Sequence, residues 1–140
     1  MENIGRLIQN NTALKKLELH EWNIDDDSAV SLVKSLPESH LEVSEINDNS
    51  LGDHTCASLL SFIPSTLTKL SIIQNKMTEA SLRTILTFLA TNRTLKIPQM
   101  KYNPIFEKDD SDGHENVYWQ QISEVAKQNG ICELDSFQIK

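Results

Sequence analysis

Apolar and polar residues follow a pattern that recurs four times between residues 14 and 106. The four repeats start at Leu14, Leu41, Leu67 and Leu95, so their spacings are 27, 26 and 28 residues. Apolar residues stand at offsets 0, 3, 5 and 10 from each start, and an Asn stands at offset 8. Agreement of four registers at several offsets indicates a stack of similar structural units.

The third repeat follows this pattern throughout, whereas each of the others departs from it at one position. Trp22 replaces the Asn of the first repeat, and Ser44 and Pro98 replace the second apolar residue of the second and fourth repeats. Because proline cannot donate a hydrogen bond to a neighbouring strand, Pro98 puts the local regularity in doubt. The residues predicted to hold the units together are Leu14, Leu17, Leu19, Ile46, Asn49, Leu67, Leu70, Ile72, Asn75 and Asn103.

Each repeat predicts a strand, a turn and a helix. Apolar residues at offsets 3 and 5, with polar residues between them, are typical of a strand with one buried face. The Asn at offset 8 falls where the chain must turn, and its amide can bond unpaired backbone groups there. After Ile24, the segment from Asp25 to Ser28 suits a helix N-terminus, and Pro37 ends that helix. Because such a unit cannot bury its apolar face alone, neighbouring repeats must stack.

The whole chain, residues 1–140, is predicted to form one domain. Residues 1–13 form a capping helix, the repeats occupy 14–40, 41–66, 67–94 and 95–130, and residues 131–140 form a terminal strand. The last repeat carries an acidic insertion at 107–115, interpreted as a mobile loop, before a helix that Gly130 ends. The chain is either a short array of this length or a piece of a longer one.

The repeat pattern resembles the leucine-rich repeat, and its length is similar to that of the ribonuclease-inhibitor class. The resemblance covers about residues 1–106. It implies an α/β solenoid, a curved right-handed horseshoe with a parallel sheet on the concave face and helices on the convex face. It also implies an interaction scaffold without catalytic activity. The irregular repeats are similar in style to bacterial effector proteins delivered into host cells, although an intracellular eukaryotic regulator fits equally well.

Charge and composition argue against several classes of partner. The net charge is −7, whereas binding to nucleic acid or an anionic membrane requires a basic footprint. No apolar run approaches the ~20 residues that a membrane span needs, and the segment after Met1 has no signal-peptide core. Cys56 and Cys132 lie far apart and are interpreted as reduced thiols, which predicts a cytoplasmic protein.

Motifs that carry chemistry are weak, so no catalytic residue, metal ligand or cofactor is predicted. Residues 108–113 resemble a calcium loop, but Lys108 and Trp119 stand where oxygen ligands are required. The four histidines fall in four different segments, without the local pairs that metal sites show. Cys56, two residues after His54, is a weak candidate nucleophile. Cys132 is interpreted as an edge-strand residue.

Side chains at offsets 2, 4 and 6 are predicted to point out of the concave face and to bind a protein partner. They are Lys16, Glu18, His20, Val43, Glu45, Asn47, Lys69, Ser71, Ile73, Ile97, Gln99 and Lys101. Val43, Ile73 and Ile97 are apolar where the strand pattern calls for polar residues. Exposed aliphatic residues ringed by charges suit a protein interface, although scattered surface hydrophobes are common without one.

Four aromatic residues lie outside this set. Trp22 and Tyr102 stand near the strand ends, where they are candidate anchors for a partner, with packing of Trp22 inside its turn as the alternative. Tyr118 and Trp119 are expected to pack the last helix against the core.

The predicted function is a non-catalytic protein–protein interaction scaffold, a monomer with a protein partner of unknown identity. Two alternatives stay open. One is an assembly module that self-associates through its terminal strand, which ends in Phe137 and Ile139, because an open strand leaves backbone groups unpaired. The other is a cysteine-dependent enzyme.

Overall fold

The computed structural model describes residues 2–107 and 116–131, in which strands and helices alternate along the chain. The strands are β1 (Lys16–Glu18), β2 (Val43–Glu45), β3 (Lys69–Ser71) and β4 (Ile97–Gln99). The α-helices are α1 (Glu2–Asn10), α2 (Asp26–Ser35), α3 (Asp53–Ser61), α4 (Leu82–Thr91) and α5 (Val117–Gln128). Short 3-10 turns stand at Leu36–Glu38, Glu79–Ser81 and Pro104–Phe106.

The four strands form one parallel sheet in chain order. The register pairs equivalent positions of the repeats, so that Lys16 lies beside Val43, Val43 beside Lys69, and Lys69 beside Ile97. Consecutive helices pack against each other, α1 on α2, α2 on α3, α3 on α4 and α4 on α5. The molecule is therefore a small α/β domain of leucine-rich-repeat-like architecture, and this coarse part of the fold prediction is confirmed.

The periodic apolar positions form the core between the sheet and the helices. Leu67, Leu70, Ile72 and Met77 of the third repeat are each only 1% exposed. Leu14 is half-buried and packs against the core from the first repeat. The core is thus a set of columns, each filled by one residue from each repeat.

Pro98 leaves the sheet intact. Two hydrogen bonds join β4 to β3 around it, from the Ile97 N–H to the Thr68 carbonyl (3.1 Å) and from the Ile72 N–H to the Gln99 carbonyl (2.8 Å). In a strand, successive N–H groups point to opposite sides, so the nitrogen of Pro98 faces away from β3. The missing donor therefore interrupts no bond between these strands.

The asparagines at offset 8 bond the backbone of neighbouring repeats, as the sequence predicts. The Asn75 side chain donates to the Ile46 carbonyl (2.8 Å) and accepts from the Leu51 N–H (3.1 Å). Asn49 and Asn103 make equivalent bonds, and all three side chains are buried. These bonds tie each of these turns to the repeat before it.

A second ladder, which the sequence did not predict, joins the starts of the helices. An acidic residue at offset 12 accepts a hydrogen bond from a hydroxyl of the next repeat. The pairs are Asp26 with Thr55, Asp53 with Ser81, and Glu79 with Tyr118. Burial of Asp53 opposes its ionisation, but bonds from Ser81 and Thr78 outweigh burial and lower its pKa. The bond to Glu79 raises the pKa of Tyr118.

The residue at offset 7 is left-handed in all four repeats. The φ angles of Glu21, Asp48, Gln74 and Tyr102 lie between 54° and 59°. This conformation turns the chain sharply after each strand, and the N–H of Gln74 donates to the Lys101 carbonyl of the next repeat (2.8 Å). Non-glycine residues adopt this conformation at a cost, which the inter-repeat bonds offset.

The last described helix, α5, covers the last repeat. Asn116 caps the helix by accepting from two backbone N–H groups at its start, and Gly130 ends it with a φ of +69°. Trp119 is buried edge-on against Phe106, with ring centroids 5.4 Å apart. The predicted acidic insertion at 107–115, apart from Glu107, and the predicted terminal strand after residue 131 lie outside the described residues.

Candidate protein-binding face

The side of the sheet that faces away from the helices, here called the open face, carries the predicted binding residues. Lys16, Glu18 and His20 are exposed, and Val43, Glu45, Lys69, Ile73, Ile97, Gln99 and Lys101 are half-buried. The remaining two, Asn47 and Ser71, are buried. The structure therefore brings the predicted residues together on one surface and leaves ten of the twelve accessible.

The prediction that Asn47 and Ser71 point into solvent is wrong. The Asn47 side-chain oxygen accepts from the Ser71 hydroxyl (2.7 Å) and from the Ile73 N–H (2.9 Å). Ser71 also lies between the longer residues Glu45 and Gln99 of the adjacent strands. Because these small polar groups bond each other beneath longer neighbours, they order the face and offer no contact to a partner.

Ion pairs fix the charged side chains of the open face. Lys16 Nζ lies 2.8 Å from Glu18 Oε1, and Lys69 Nζ lies 2.7 Å from Glu45 Oε1. The Lys16–Glu18 hydrogen bond lowers the pKa of Glu18 and raises the pKa of Lys16. His20 Nε2 lies 3.7 Å from Glu45 Oε2. The Lys16–Glu18 pair lies within β1, whereas the Lys69–Glu45 pair joins β3 to β2.

Three of these side chains could hold a divalent metal ion. Ligand atoms of Glu18, His20 and Glu45 all lie within 4.8 Å of one another. Both carboxylates already bond lysines, Lys16 and Lys69, so an ion would compete with two cations at a partly exposed site. The arrangement therefore supports an ion-pair network more directly than a metal centre.

Apolar side chains are spread across the open face. Val43, Ile73 and Ile97 are half-buried, so part of each side chain reaches solvent among charged neighbours. Trp22 is 57% exposed and Tyr102 is 65% exposed, in the turns that follow β1 and β4. The alternative that Trp22 packs inside its turn is therefore wrong. Accessible apolar side chains are therefore present on the sheet and in the turns at its two ends.

The helix side has exposed apolar residues that the sequence interpretation missed. Leu7, Val30 and Phe62 are 56%, 41% and 49% exposed, on α1, on α2 and directly after α3. Val30 and Phe62 line one shallow groove between α2 and α3. These three residues fall outside the periodic core positions. An apolar residue at such a position is the sequence signal that could have revealed this surface. The lining of this groove also includes Asp26, Lys34 and His54.

The environment of Cys56 opposes nucleophilic chemistry. Its thiol is free and 2% exposed, and burial raises its pKa to about 11. His54 is exposed at the start of α3, and no ion pair or hydrogen bond between the two residues is present in the described structure. Cys132 lies outside the described residues. Within the described residues, no helix is long and apolar enough to cross a membrane.

Solved structures share this fold. Actin-binding site 2 of leiomodin-1 superposes with a TM-score of 0.74 and 15% sequence identity, covering 93% of this chain and 74% of that chain. The tropomodulin C-terminal domain of Caenorhabditis elegans superposes with a TM-score of 0.69 and 15% identity, covering 91% of this chain and 74% of that chain. No protein-family model and no curated protein matches the sequence.

These likenesses correct the family resemblance. The structural neighbours are leucine-rich-repeat-like domains of a distinct family, and not ribonuclease-inhibitor-like or bacterial effector proteins. The physical reason is that the apolar offsets and the Asn follow from stacking a strand, a turn and a helix. Any family that stacks this unit needs the same pattern. The pattern therefore identifies the architecture without distinguishing between the families that use it.

Proposed function

We propose that this chain is a non-catalytic protein-binding module, and that its open face is the concave side of a curved right-handed horseshoe. The observation that carries the proposal is the accessible apolar set Val43, Ile73 and Ile97, on a sheet whose other accessible side chains are charged or polar. Such a surface combines apolar contact area with polar groups around it, as protein interfaces do. Trp22 and Tyr102 extend it at both ends with residue types that often dominate binding energy.

Actin is the first candidate partner. The support is the fold that this chain shares with actin-binding site 2 of leiomodin-1. Fold alone does not carry function, because binding depends on the residues of the site. Direct binding to actin monomers and filaments is therefore the decisive measurement.

The experiment compares the wild type with a variant that carries Val43→Glu, Ile73→Glu and Ile97→Glu. We expect at least tenfold weaker binding to fluorescent actin monomers, or to filaments in cosedimentation, because three carboxylates would face the partner's apolar surface. The matched control carries Leu7→Glu, Val30→Glu and Phe62→Glu, which makes the same charge change on the helix side. Circular dichroism checks that both variants fold.

Three results test the two proposals, the open face as the binding surface and actin as the partner. Binding that the control retains and the open-face variant loses supports both the face and the partner. Absence of actin binding by the wild type would remove actin, and capture from a cell lysate with the same two variants would then test the face alone. Equal loss, or equal retention, in the two variants would refute the open face as the binding surface.

We propose further that the protein acts without catalysis and in the cytoplasm. The buried, high-pKa thiol of Cys56 supports the first part, and its free state suits a reducing compartment. Slow reaction of Cys56 with iodoacetamide in the folded protein is expected. Labelling as fast as that of a small-molecule thiol would revive a cysteine-dependent activity.

A further inference from the structure

The net charge of the chain is concentrated in its first two repeats. Residues 14–66 contain three Lys and Arg residues and ten Asp and Glu residues, which gives them a net charge of −7. The rest of the chain, residues 1–13 and 67–140, contains ten residues of each sign and has no net charge. The first two repeats are therefore the part of the molecule that attracts a cationic partner.

Several carboxylates of these repeats already have partners within the protein. On the strands, Glu18 lies 2.8 Å from Lys16 Nζ, and Glu45 lies 2.7 Å from Lys69 Nζ. At the start of α2, the Asp25 side chain accepts a hydrogen bond from a backbone N–H (2.8 Å). Because these groups are neutralised or hydrogen-bonded, they attract an added cation less than an unpaired carboxylate does.

Glu21 and Asp48 are carboxylates without such partners. They occupy the same position, offset 7, in the turns that follow β1 and β2. Within the described residues, neither side chain takes part in an ion pair or a hydrogen bond. The Glu21 N–H donates to the Asn47 carbonyl (3.3 Å), so the two turns lie side by side. Two unpaired carboxylates thus stand on neighbouring turns.

Trp22 is a large aromatic side chain left in solvent beside these carboxylates. It directly follows Glu21 and is 57% exposed. Its N–H donates to Asn49 Oδ1 (3.1 Å), and its neighbours Glu21 and Asn23 are both left-handed, with φ of 59° and 53°. The second repeat therefore holds the backbone of this turn in place, while the indole stays accessible.

The packing of the stack does not account for Trp22. At the equivalent position of the other repeats, Asn49, Asn75 and Asn103 are buried, and each donates to a carbonyl of the preceding repeat. Within the described residues, the element before the first repeat is the helix α1, so no preceding strand offers such an acceptor to position 22. This position is therefore free of the asparagine ladder, and an exposed indole stands there.

A guanidinium group has the chemistry that suits this surface. It is planar and cationic, so it can stack on an indole ring and donate hydrogen bonds to carboxylates at the same time. A lysine ammonium is a point charge and matches the flat ring less well. Because neighbouring strands lie ~4.8 Å apart, one short basic segment can reach the carboxylates of both turns.

We propose that the turns after β1 and β2 bind an arginine of the partner protein, with its guanidinium on the Trp22 indole and beside the carboxylates of Glu21 and Asp48. This inference rests on the proposed function and adds the chemistry of the partner at one end of the open face. The partner would then combine a basic segment over these turns with apolar side chains over the strands.

The probe is a fluorescent twelve-residue peptide with four arginines among Gly and Ser, compared with peptides in which Lys or Glu replaces Arg. The protein is the full chain, as wild type, as Trp22→Leu and as the double variant Glu21→Gln, Asp48→Asn.

Two control variants match these changes. Tyr102→Leu removes the exposed aromatic ring at the other end of the sheet. Glu38→Gln with Glu107→Gln removes two exposed carboxylates at other places in the chain. Circular dichroism checks that all four variants fold.

Fluorescence anisotropy should show the Arg peptide binding at least tenfold more tightly than the Glu peptide, and more tightly than the Lys peptide. Trp22→Leu should lose about fivefold in affinity, as expected for one exposed cation–π contact. The double variant Glu21→Gln, Asp48→Asn should lose about fivefold through two surface ion pairs. Both controls should lose less than twofold.

Tryptophan emission gives a second readout at the site itself. Trp22 is exposed, whereas Trp119 is buried, so acrylamide quenches mainly Trp22. A saturating concentration of the unlabelled Arg peptide should therefore reduce quenching by acrylamide, and the Glu peptide should leave it unchanged.

Several outcomes would overturn the inference. They are equal affinities for the Arg and Glu peptides, no binding of the Arg peptide up to millimolar concentration, and equal losses in the site variants and the controls. Unchanged binding by Trp22→Leu would remove the indole from the site and overturn it as well. Calcium ions that displace the peptide, and that bind Trp22→Leu as tightly as the wild type, would assign the carboxylates to a metal ion instead.

The variants also separate this inference from the proposed function. A partner that the apolar open-face variant loses, but that Trp22→Leu and Glu21→Gln, Asp48→Asn both retain, would leave the proposed function standing and overturn the arginine inference. A partner insensitive to the apolar open-face variant would refute the proposed function itself.

Discussion

Single residues stabilise this stack through contacts with neighbouring repeats. Leu70 lies at the centre of the sheet, between Ser44 and Pro98 in the register, and is 1% exposed. Because both neighbours in its column are small or rigid, little can move to fill a cavity there. A smaller side chain at position 70 is therefore expected to leave a cavity that the neighbouring residues cannot fill.

Truncation of Leu70 is expected to be costly. Leu70→Ala should lower the free energy of unfolding by ~2–5 kcal/mol, the range for buried leucines. Urea denaturation followed by circular dichroism measures the change, and Thr87→Ala on the exposed side of α4 should change it by less than ~0.5 kcal/mol. A loss for Leu70→Ala as small as that of the control would mean that the column is packed differently.

The left-handed turns predict a gain of stability at Gln74. Its φ is 54° and its side chain is exposed, so Gln74→Gly removes backbone strain without removing a contact. After the extra chain entropy of glycine, we expect a net gain of ~0.5 kcal/mol in the free energy of unfolding. Ala90→Gly, at an exposed position of α4, should instead lower the free energy of unfolding by ~1 kcal/mol in the same denaturation assay. The same sign for both changes would contradict the conformational explanation.

At this scale the sequence predicts the buried columns well and the surface less well. Leu67, Ile72 and Asn75 are predictable because their periodicity reflects contacts in every repeat. The burial of Asn47 and Ser71 was not predictable from alternation. It arises from a bond between the two side chains, which stand 24 residues apart and meet only when the strands pair.

Helices and strands are joined by the acidic ladder as well as by the asparagines. Asp53 begins α3 and accepts bonds from Thr78 and Ser81 at the start of the next helical segment. These bonds lower its pKa below the value in the unfolded chain. Its ionised form therefore stabilises the fold above the unfolded pKa, and this contribution is lost as the pH falls through the folded pKa.

Asp53→Asn should consequently reduce stability near pH 7 and flatten its dependence on pH in the acidic range below about pH 4. Denaturation curves recorded from pH 7 down to pH 2.5 measure this. Asp27→Asn, on the exposed start of α2, makes the same charge change and serves as the control. If the stability of Asp53→Asn depends on pH as strongly as that of the wild type, the ionisation of Asp53 is not coupled to folding.

Elements were predictable to within a few residues because caps and breakers are local signals. Asp25, in the segment predicted to begin a helix, caps α2. Asn116 caps α5 in the same way, which the sequence analysis did not predict. Thr78 caps a 3-10 turn, and α4 begins only at Leu82. That detail depends on Asp53 of the preceding repeat, which holds Thr78 and Ser81, so the local sequence could not reveal it.

The whole molecule is a linear stack, and its stability should therefore vary along its length. α1 packs against one neighbouring helix, whereas α3 lies between α2 and α4. Hydrogen exchange at neutral pH should show faster exchange of buried amides in α1 than in α3. Equal protection in the two helices would indicate that the stack opens only as one cooperative unit.

The architecture was predictable at this scale, but the family was not. Four registers at a spacing near 27 residues indicate a stack of strands and helices, and the sheet order follows from short connections. The ribonuclease-inhibitor assignment failed because stacking physics imposes the same pattern on unrelated families. The position of the open face was predictable, whereas the identity of a partner depends on surface chemistry that no repeat pattern encodes.

The left-handed backbone conformation at offset 7 of each repeat affects how the neighbouring surface can evolve. At offset 7 the backbone N–H groups of Glu21, Asp48 and Gln74 donate to the next repeat. The side chains at this offset are those of Glu21, Asp48, Gln74 and Tyr102. Selection for folding therefore constrains the backbone at this column and leaves the choice of side chain open, apart from proline and β-branched types. During evolution, acidic, amide and aromatic side chains beside the open face could thus replace one another one at a time. New partners could be acquired without a step in which the protein folds poorly.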